Sequence, residues 1–146
     1  MNIKEVNIYT FGICKINVLK RPGSYITILE YKGHTKQVDG FIEETTTNRT
    51  IITGMIQAVK LLKEPCKIHF YNAIQVGLKK IYRDGKYKKI PMKDNGDLLN
   101  ELSDLLEQGG HLIEEHITKE YEKQLRKCNR KYDNKFAEYE TIGKEK

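Results

Sequence analysis

The acidic side chains that could carry out chemistry are scattered, and they form no compact catalytic motif. The two groups considered for a metal site are Asp39, Glu43 and Glu44, and then Asp84, Asp94 and Asp97. The first three precede a predicted helix, where the helix dipole favours acids, and the last three alternate with lysines as on a solvated surface. Two histidines, His111 and His116, share one predicted strand, where an isolated histidine is more often structural than a proton shuttle. These residues therefore predict no catalytic centre of their own.

The three cysteines, Cys14, Cys66 and Cys128, are far apart and odd in number, and no pair has the CxxC spacing. This pattern argues against a disulfide framework and against a zinc site, and it suits a reducing compartment. The chain shows no apolar leader and no run long enough to span a bilayer. We therefore expect a cytoplasmic location.

The chain of 146 residues is basic, with a formal net charge of +6 and 32% charged residues. One segment is rich in cations, which are interleaved with Tyr82 and Tyr87. These cations are Lys79, Lys80, Arg83, Lys86, Lys88, Lys89 and Lys93. Such a cluster predicts salt-dependent, sequence-independent binding to phosphate backbones. A solvated, lysine-rich loop is the alternative interpretation.

Hydrophobic periodicity predicts strands and helices in a single domain that spans residues 1–146. The predicted strands are residues 4–10, 25–31, 35–42, 67–71 and 111–118. The predicted helices are one capped by Thr47 or Asn48 and ending at 63, then 73–82, 97–108 and one from 119 onward, with a loop at 83–96. The order β-β-β-α-β-α-α-β-α predicts an α+β (α/β) fold with a five-stranded mixed sheet flanked by helices.

The last predicted helix carries apolar residues at spacings of three and four. They are Tyr121, Leu125, Cys128, Tyr132 and Phe136. A stripe of this kind is typical of packing against a core. The pattern also predicts continuous helix over residues 120–127.

The first strand ends at Phe11 and Gly12, where α/β and α+β proteins usually place polar working groups. Residues 9–14 read Tyr-Thr-Phe-Gly-Ile-Cys and residues 45–51 read Thr-Thr-Thr-Asn-Arg-Thr-Ile. Three later stretches read Tyr-Asn-Ala at 71–73, Asn-Gly-Asp-Leu-Leu at 95–99 and Asn-Arg-Lys-Tyr-Asp at 129–133. Type-1 ribonucleases H carry, in the same order, Tyr-Thr-Asp-Gly-Ser-Cys, Thr-Thr-Asn-Asn-Arg-Met-Glu, Thr-Asp-Ser, Asn-x-Asp-Leu-Trp and Asn-Glu-x-x-Asp. The chain thus resembles a type-1 ribonuclease H over nearly its whole length.

The resemblance implies the ribonuclease H-like fold and cleavage of the RNA strand of an RNA–DNA hybrid by two magnesium ions held by carboxylates. Carried over position by position, three carboxylates are replaced by Phe11, Ile51 and Asn72. Only Asp133 remains, and the family's Gly-His-x-Gly-His loop is absent. One carboxylate and one amide cannot hold two hard dications against water. We therefore expect no catalytic residues, no bound metal and no cofactor.

The resemblance also implies residues that contact the minor groove of the hybrid. Asn17 matches the asparagine of the family's first loop, and Thr47 and Asn48 lie in its helix-opening tract. Amides and hydroxyls in such positions recognise A-form duplexes through 2′-hydroxyls and phosphates. Capping of the helix is the alternative role of Thr47 and Asn48.

Three functions stay open on the sequence alone. The leading hypothesis is a catalytically inactive ribonuclease H-like protein that binds RNA–DNA hybrid or duplex RNA through its basic surface. The second is a protein-interaction or dimerisation module, in which Phe11, Ile13 and Ile51, together with Ala73, form an apolar docking patch. The third is ribonuclease H activity through a rearranged metal site.

Overall fold

The computed structural model describes residues 3–15, 20–118 and 130–144. The strands are β1 (Lys4–Cys14), β2 (Gly23–Tyr31), β3 (His34–Ile42), β4 (Cys66–Asn72), β5 (Tyr82–Arg83), β6 (Lys86–Tyr87) and β7 (Leu112–Ile117). The helices are α1 (Thr47–Val59), α2 (Leu78–Ile81), α3 (Gly96–Gln108) and α4 (Asp133–Lys144), the last preceded by a 3-10 turn at Arg130–Tyr132.

Five of the strands form one sheet in the order β3-β2-β1-β4-β7. β1 and β3 run antiparallel to β2, whereas β1 and β7 run parallel to β4. The short strands β5 and β6 form a separate hairpin. The predicted five-stranded mixed sheet flanked by helices is therefore confirmed.

Helix α1 lies against one face of the sheet and approaches it at two glycines. A Cβ atom at Gly12 would lie 2.0 Å from Thr50 Oγ1, and one at Gly54 would lie 2.5 Å from Thr27 Oγ1. The helix reaches this distance only because glycine has no side chain. Since side chains alternate along a strand, the even-numbered residues of β1 face α1, and the odd-numbered ones, including Phe11, face away.

The main core lies between the α1 face of the sheet and helices α1 and α3. Its fully buried side chains include Ile8, Ile52, Met55, Phe70, Leu102 and Leu106. On the opposite face, a smaller cluster comprises Tyr9, Phe11, Ile28 and Tyr71. Phe136 of α4 packs edge-on against Phe41 of β3, with ring centroids 5.4 Å apart. Apolar side chains thus pack on both faces of the sheet.

The N-cap of α1 differs from the prediction, because it is Thr46 rather than Thr47 or Asn48. Thr46 is extended, with φ −131° and ψ 165°, and its side chain accepts the Arg49 N–H at 3.3 Å. Thr47 lies one residue later, in the first turn, where its carbonyl accepts the Thr50 hydroxyl at 2.6 Å. Any one of several consecutive hydroxyl residues can cap a helix. Here Thr46 does so, because its backbone is extended.

Two predicted helices are shorter in the structure. Helix α1 ends at Val59 instead of residue 63, because the amides of Leu61 and Leu62 bond to carbonyls three residues back and tighten the last turn. The helix predicted at 73–82 is reduced to the four residues of α2. Gly77 has φ +102°, a left-handed conformation that a helix interior does not allow.

Part of the predicted loop at residues 83–96 is a β-hairpin. Asp84 and Gly85 have φ of +51° and +79°, which suits the two-residue turn between β5 and β6. The rings of Tyr82 and Tyr87 lie opposite each other, with centroids 4.8 Å apart. The Asp-Gly pair is the sequence signal for this hairpin. Periodicity does not show it, because each strand is only two residues long.

The last predicted helix is described from residue 130 onward. Outside the described residues lie Tyr121, Leu125 and Cys128, together with the helix predicted over 120–127. Within the described part, Tyr132 and Phe136 contact Phe41, as expected of a packing stripe. No helix among the described residues combines the length and the apolar character needed to cross a bilayer.

Candidate functional site

The first two positions implied for catalytic carboxylates are buried apolar residues. Phe11 is 3% exposed and lies in the smaller cluster on the face away from α1, whereas Ile51, also 3% exposed, belongs to the main core. The expected docking patch of Phe11, Ile13 and Ile51 is therefore corrected. Two of its residues lie inside the protein, in different clusters, and do not form a surface on which a partner could dock.

The other two positions are Asn72 at the end of β4 and Asp133 at the start of α4. Asn72 is fully buried; its Nδ2 lies 3.9 Å from Met55 Sδ, and its Oδ1 has no hydrogen-bond partner within the described residues. Asp133 is exposed. The Asn72 side chain faces α1, so it lies on the opposite face of the sheet from Phe11.

These four positions do not fit the magnesium centre of the family. Each Mg²⁺ ion needs several oxygen ligands, preferably anionic ones. The positions offer one exposed carboxylate, one buried neutral amide and two hydrocarbon side chains, and the amide and Phe11 face opposite sides of the sheet. No hydrolytic step through magnesium therefore follows from these residues.

The helix-opening tract places Thr47 and Asn48 in the partly exposed first turn of α1. Because Thr46 supplies the cap, the Asn48 amide is not required for capping. Asn17, the third residue of the predicted groove-binding set, lies outside the described residues. The two described members of the set are sequence neighbours on one helical turn.

The same tract is attached to α3 by a bidentate ion pair. Arg49 donates to the two carboxylate oxygens of Asp97 at 2.9 and 2.8 Å and to Asn95 Oδ1 at 3.3 Å. The sequence pattern had assigned Asp97 to solvated surface, and the pairing emerges only from the packing of α1 on α3. The hydrogen bonds from Arg49 lower the pKa of Asp97 to about 2.

Replacement of Asp97 by asparagine is expected to flatten the acid dependence of stability. A carboxyl with a folded-state pKa below its unfolded value of about 4 stabilises the fold above that value. This contribution is lost as the pH falls toward about 2. Urea unfolding of D97N should therefore show a smaller decrease in free energy over this range than the wild type. Asp84→Asn, at an exposed turn, is the matched control, and equal slopes in D97N and the wild type would contradict the assigned pairing.

The basic segment is held on a fixed scaffold. The Tyr87 hydroxyl donates to the His111 carbonyl at 2.6 Å, and the Lys88 amide donates to the Ile81 carbonyl at 2.9 Å. These bonds attach the β5–β6 hairpin to β7 and α2. The predicted cations are exposed around it, at Lys79, Lys80, Arg83, Lys86, Lys88 and Lys89.

The predicted cations differ in how far they are neutralised. Lys89 pairs with Asp104, and Arg83 lies 3.8 Å from Asp84. Lys80, Lys88 and Lys93 instead line one cleft, together with Asp94. Three cations and one acid therefore meet in this cleft, which is called the lysine cleft below.

One polar cluster was not predicted from the sequence. His69 of β4 and Glu114 and His116 of β7 lie close together on the face of the sheet away from α1. Strand histidines considered singly give no signal of a site. The pairing of β4 with β7, which places Glu114 opposite His69, is what brings the three together.

The fold has solved counterparts. LC9-RNase H1, a type 1 RNase H with the type 2 active-site motif, has a TM-score of 0.65 and 18% identity, over 83% of this chain and 65% of that one. LC11-RNase H1, solved in complex with RNA/DNA hybrid, has a TM-score of 0.62 and 16% identity, over 84% of this chain and 91% of that one. At such identities the likeness shows the fold, which is ribonuclease H-like.

Sequence relatives show the family. No protein-family model matches the chain. The ribonuclease H of Thermoanaerobacter sp. (strain X514) is 39% identical over 114 residues, which are 71% of this chain and 72% of that protein. The ribonuclease H of Desulforamulus reducens is 35% identical over 116 residues, which are 73% of this chain and 71% of that protein. The chain therefore belongs to the ribonuclease H family.

Proposed function

We propose that this ribonuclease H family member binds RNA–DNA hybrid or duplex RNA through its basic surface and does not cleave it. The observation that carries the proposal is the chemistry of the four carboxylate positions. Two are buried hydrocarbons, one is a buried amide, and only Asp133 is ionisable. Two-metal hydrolysis needs a cluster of ligands that holds the ions and activates a water. A single exposed carboxylate does not provide one.

The lysine cleft supports the binding half of the proposal. Three cations that line one concave surface attract a phosphate backbone and release its counterions. Asn95, two residues after Lys93, contacts Arg49, the neighbour of Asn48. This contact joins the chain just after the lysine cleft to the first turn of α1, and we expect one duplex to contact both.

The groups at α1 support a preference for duplexes that contain RNA. The Asn48 amide can donate to and accept from a 2′-hydroxyl, and Thr47 is partly exposed beside it. Contacts to 2′-hydroxyls are what allow a protein to distinguish RNA from DNA. We therefore expect weaker binding to a DNA duplex of the same sequence.

Two measurements on one labelled hybrid test the proposal. Fluorescence anisotropy should show an affinity that falls at least about tenfold between about 50 and 200 mM salt. Gel analysis in Mg²⁺ or Mn²⁺ should show an intact RNA strand. A relative with all four carboxylates is the positive control for cleavage, and a DNA duplex is the control for 2′-hydroxyl recognition. Shortened RNA would overturn the inactive assignment, and affinity that is absent or independent of salt would overturn the binding assignment.

A further inference from the structure

The polar cluster on the face away from α1 brings three potential metal-ligand atoms within 4.8 Å of one another. His69 Nδ1 and His116 Nε2 lie 3.0 Å apart. Glu114 Oε2 lies 3.7 Å from His69 Nδ1, and Glu114 Oε1 lies 3.7 Å from His116 Nε2. We propose that these three residues bind one zinc-like divalent ion, at a site distinct from the carboxylate positions of the family.

Tetrahedral coordination sets how close the three donor atoms must come to share one ion. Bonds of about 2.0–2.1 Å at tetrahedral angles place neighbouring ligand atoms about 3.3 Å apart. His69 Nδ1 and His116 Nε2, 3.0 Å apart, are close to this spacing. The two 3.7 Å distances involve different oxygens of Glu114, and one ligand atom from each of the three residues lies within 4.8 Å of the others. Rotation of the half-exposed Glu114 side chain would bring one oxygen closer to both nitrogens.

The surroundings orient the two imidazoles. Glu5 Oε1 lies 2.9 Å from His69 Nε2, so a carboxylate holds that N–H and leaves Nδ1 directed at the cluster. Metal-binding histidines commonly have a carboxylate partner of this kind. The Tyr71 ring stacks on His116 with centroids 4.7 Å apart and planes at 15°, which restricts rotation of that imidazole. Glu5 and Tyr71 are thus positioning residues.

The ligand set determines which ion is bound. Two imidazoles and one carboxylate suit Zn²⁺, and also Ni²⁺ and Cu²⁺, whereas Mg²⁺ prefers oxygen ligands throughout. His69 lies on β4 and the other two ligands on β7, an edge strand of the sheet. A bound ion would therefore cross-link β4 and β7, and it would stabilise the folded state by an amount that grows with the logarithm of the free-ion concentration above the dissociation constant.

Calorimetric titration of tag-free, chelator-treated protein with zinc chloride tests the site. We expect one equivalent to bind. His69→Ala and His116→Ala should each weaken binding at least about 100-fold, and Glu5→Gln should weaken it about 10- to 100-fold, the range for outer-shell partners. His34→Ala is the matched control, because His34 is exposed at the start of β3, away from the cluster, and this variant should bind as the wild type does. Magnesium chloride should give no binding heat.

Two further readouts keep the test independent of variant stability. The wild type and H34A should melt at a higher temperature with zinc, and H116A should not. Ring nitrogen NMR shifts on zinc addition should appear at His69 and His116 and not at His34. If H69A and H116A keep the wild-type zinc affinity, or if the shifts fall on other histidines, the proposed site is wrong. Glu114→Gln serves as the third ligand variant if an alanine variant fails to fold.

Discussion

Phe11→Asp is expected to lower the free energy of unfolding by about 3 kcal/mol or more. Phe11 is 3% exposed and pairs across the ladder with Ile26, which is fully buried. A carboxylate at this position loses the packing of the ring and places a charge among hydrocarbons. Urea unfolding measured at neutral pH would give the difference directly.

Phe11→Leu is the matched control for this prediction, because it keeps an apolar side chain and should cost less than about 1.5 kcal/mol. The aspartate variant restores one family carboxylate, yet it should still leave a hybrid uncut, since Ile51 and Asn72 supply no anionic ligand. If F11D proved as stable as the wild type, Phe11 could not be part of the core. Cleavage by F11D would show that the remaining positions suffice for catalysis.

Reversing the charge of the lysine cleft is expected to weaken binding to the hybrid about 10- to 100-fold at moderate salt. The variant is the triple Lys80→Glu, Lys88→Glu, Lys93→Glu, whose residues line one cleft. Each lysine that contacts a phosphate contributes about one unit to the slope of log affinity against log salt. The slope measured by anisotropy should therefore fall by about three.

The matched control reverses Lys36, Lys60 and Lys63, which are also exposed and carry the same total charge. Both triple variants reduce the formal net charge from +6 to zero, since each reversal removes two units. Lys36 and Lys63 lie at the end of the sheet near Tyr31, away from the lysine cleft. Equal losses in the two variants would mean that overall charge, and not the lysine cleft, drives binding.

Together these experiments separate the two halves of the proposed function. The aspartate variant examines whether the carboxylate positions have become part of the core. The lysine variants examine whether nucleic acid binding depends on one surface of the protein. Binding that depends on the lysine cleft, together with an intact RNA strand, would support a family member that keeps recognition without hydrolysis.

Most of the fold could be predicted from the sequence, and the errors have local causes. The strands of the sheet follow from alternation and from β-branched and aromatic residues, which are properties of neighbouring positions. The helix predicted at 73–82 failed because Gly77 adopts a left-handed conformation that periodicity does not register. The β5–β6 hairpin was missed even though Asp84-Gly85 is a local signal for it.

The family resemblance and the loss of three carboxylates could be established without coordinates, because both depend only on residue types in order along the chain. The tertiary structure decided that Phe11 and Ile51 are buried in different clusters and that Asn72 faces the opposite side from Phe11. It also brought His69 to His116, 47 residues away. The burial of a side chain, the face of the sheet on which it lies and its distant neighbours all depend on strand register and helix packing. These join segments that are far apart in sequence. No local pattern contains that information.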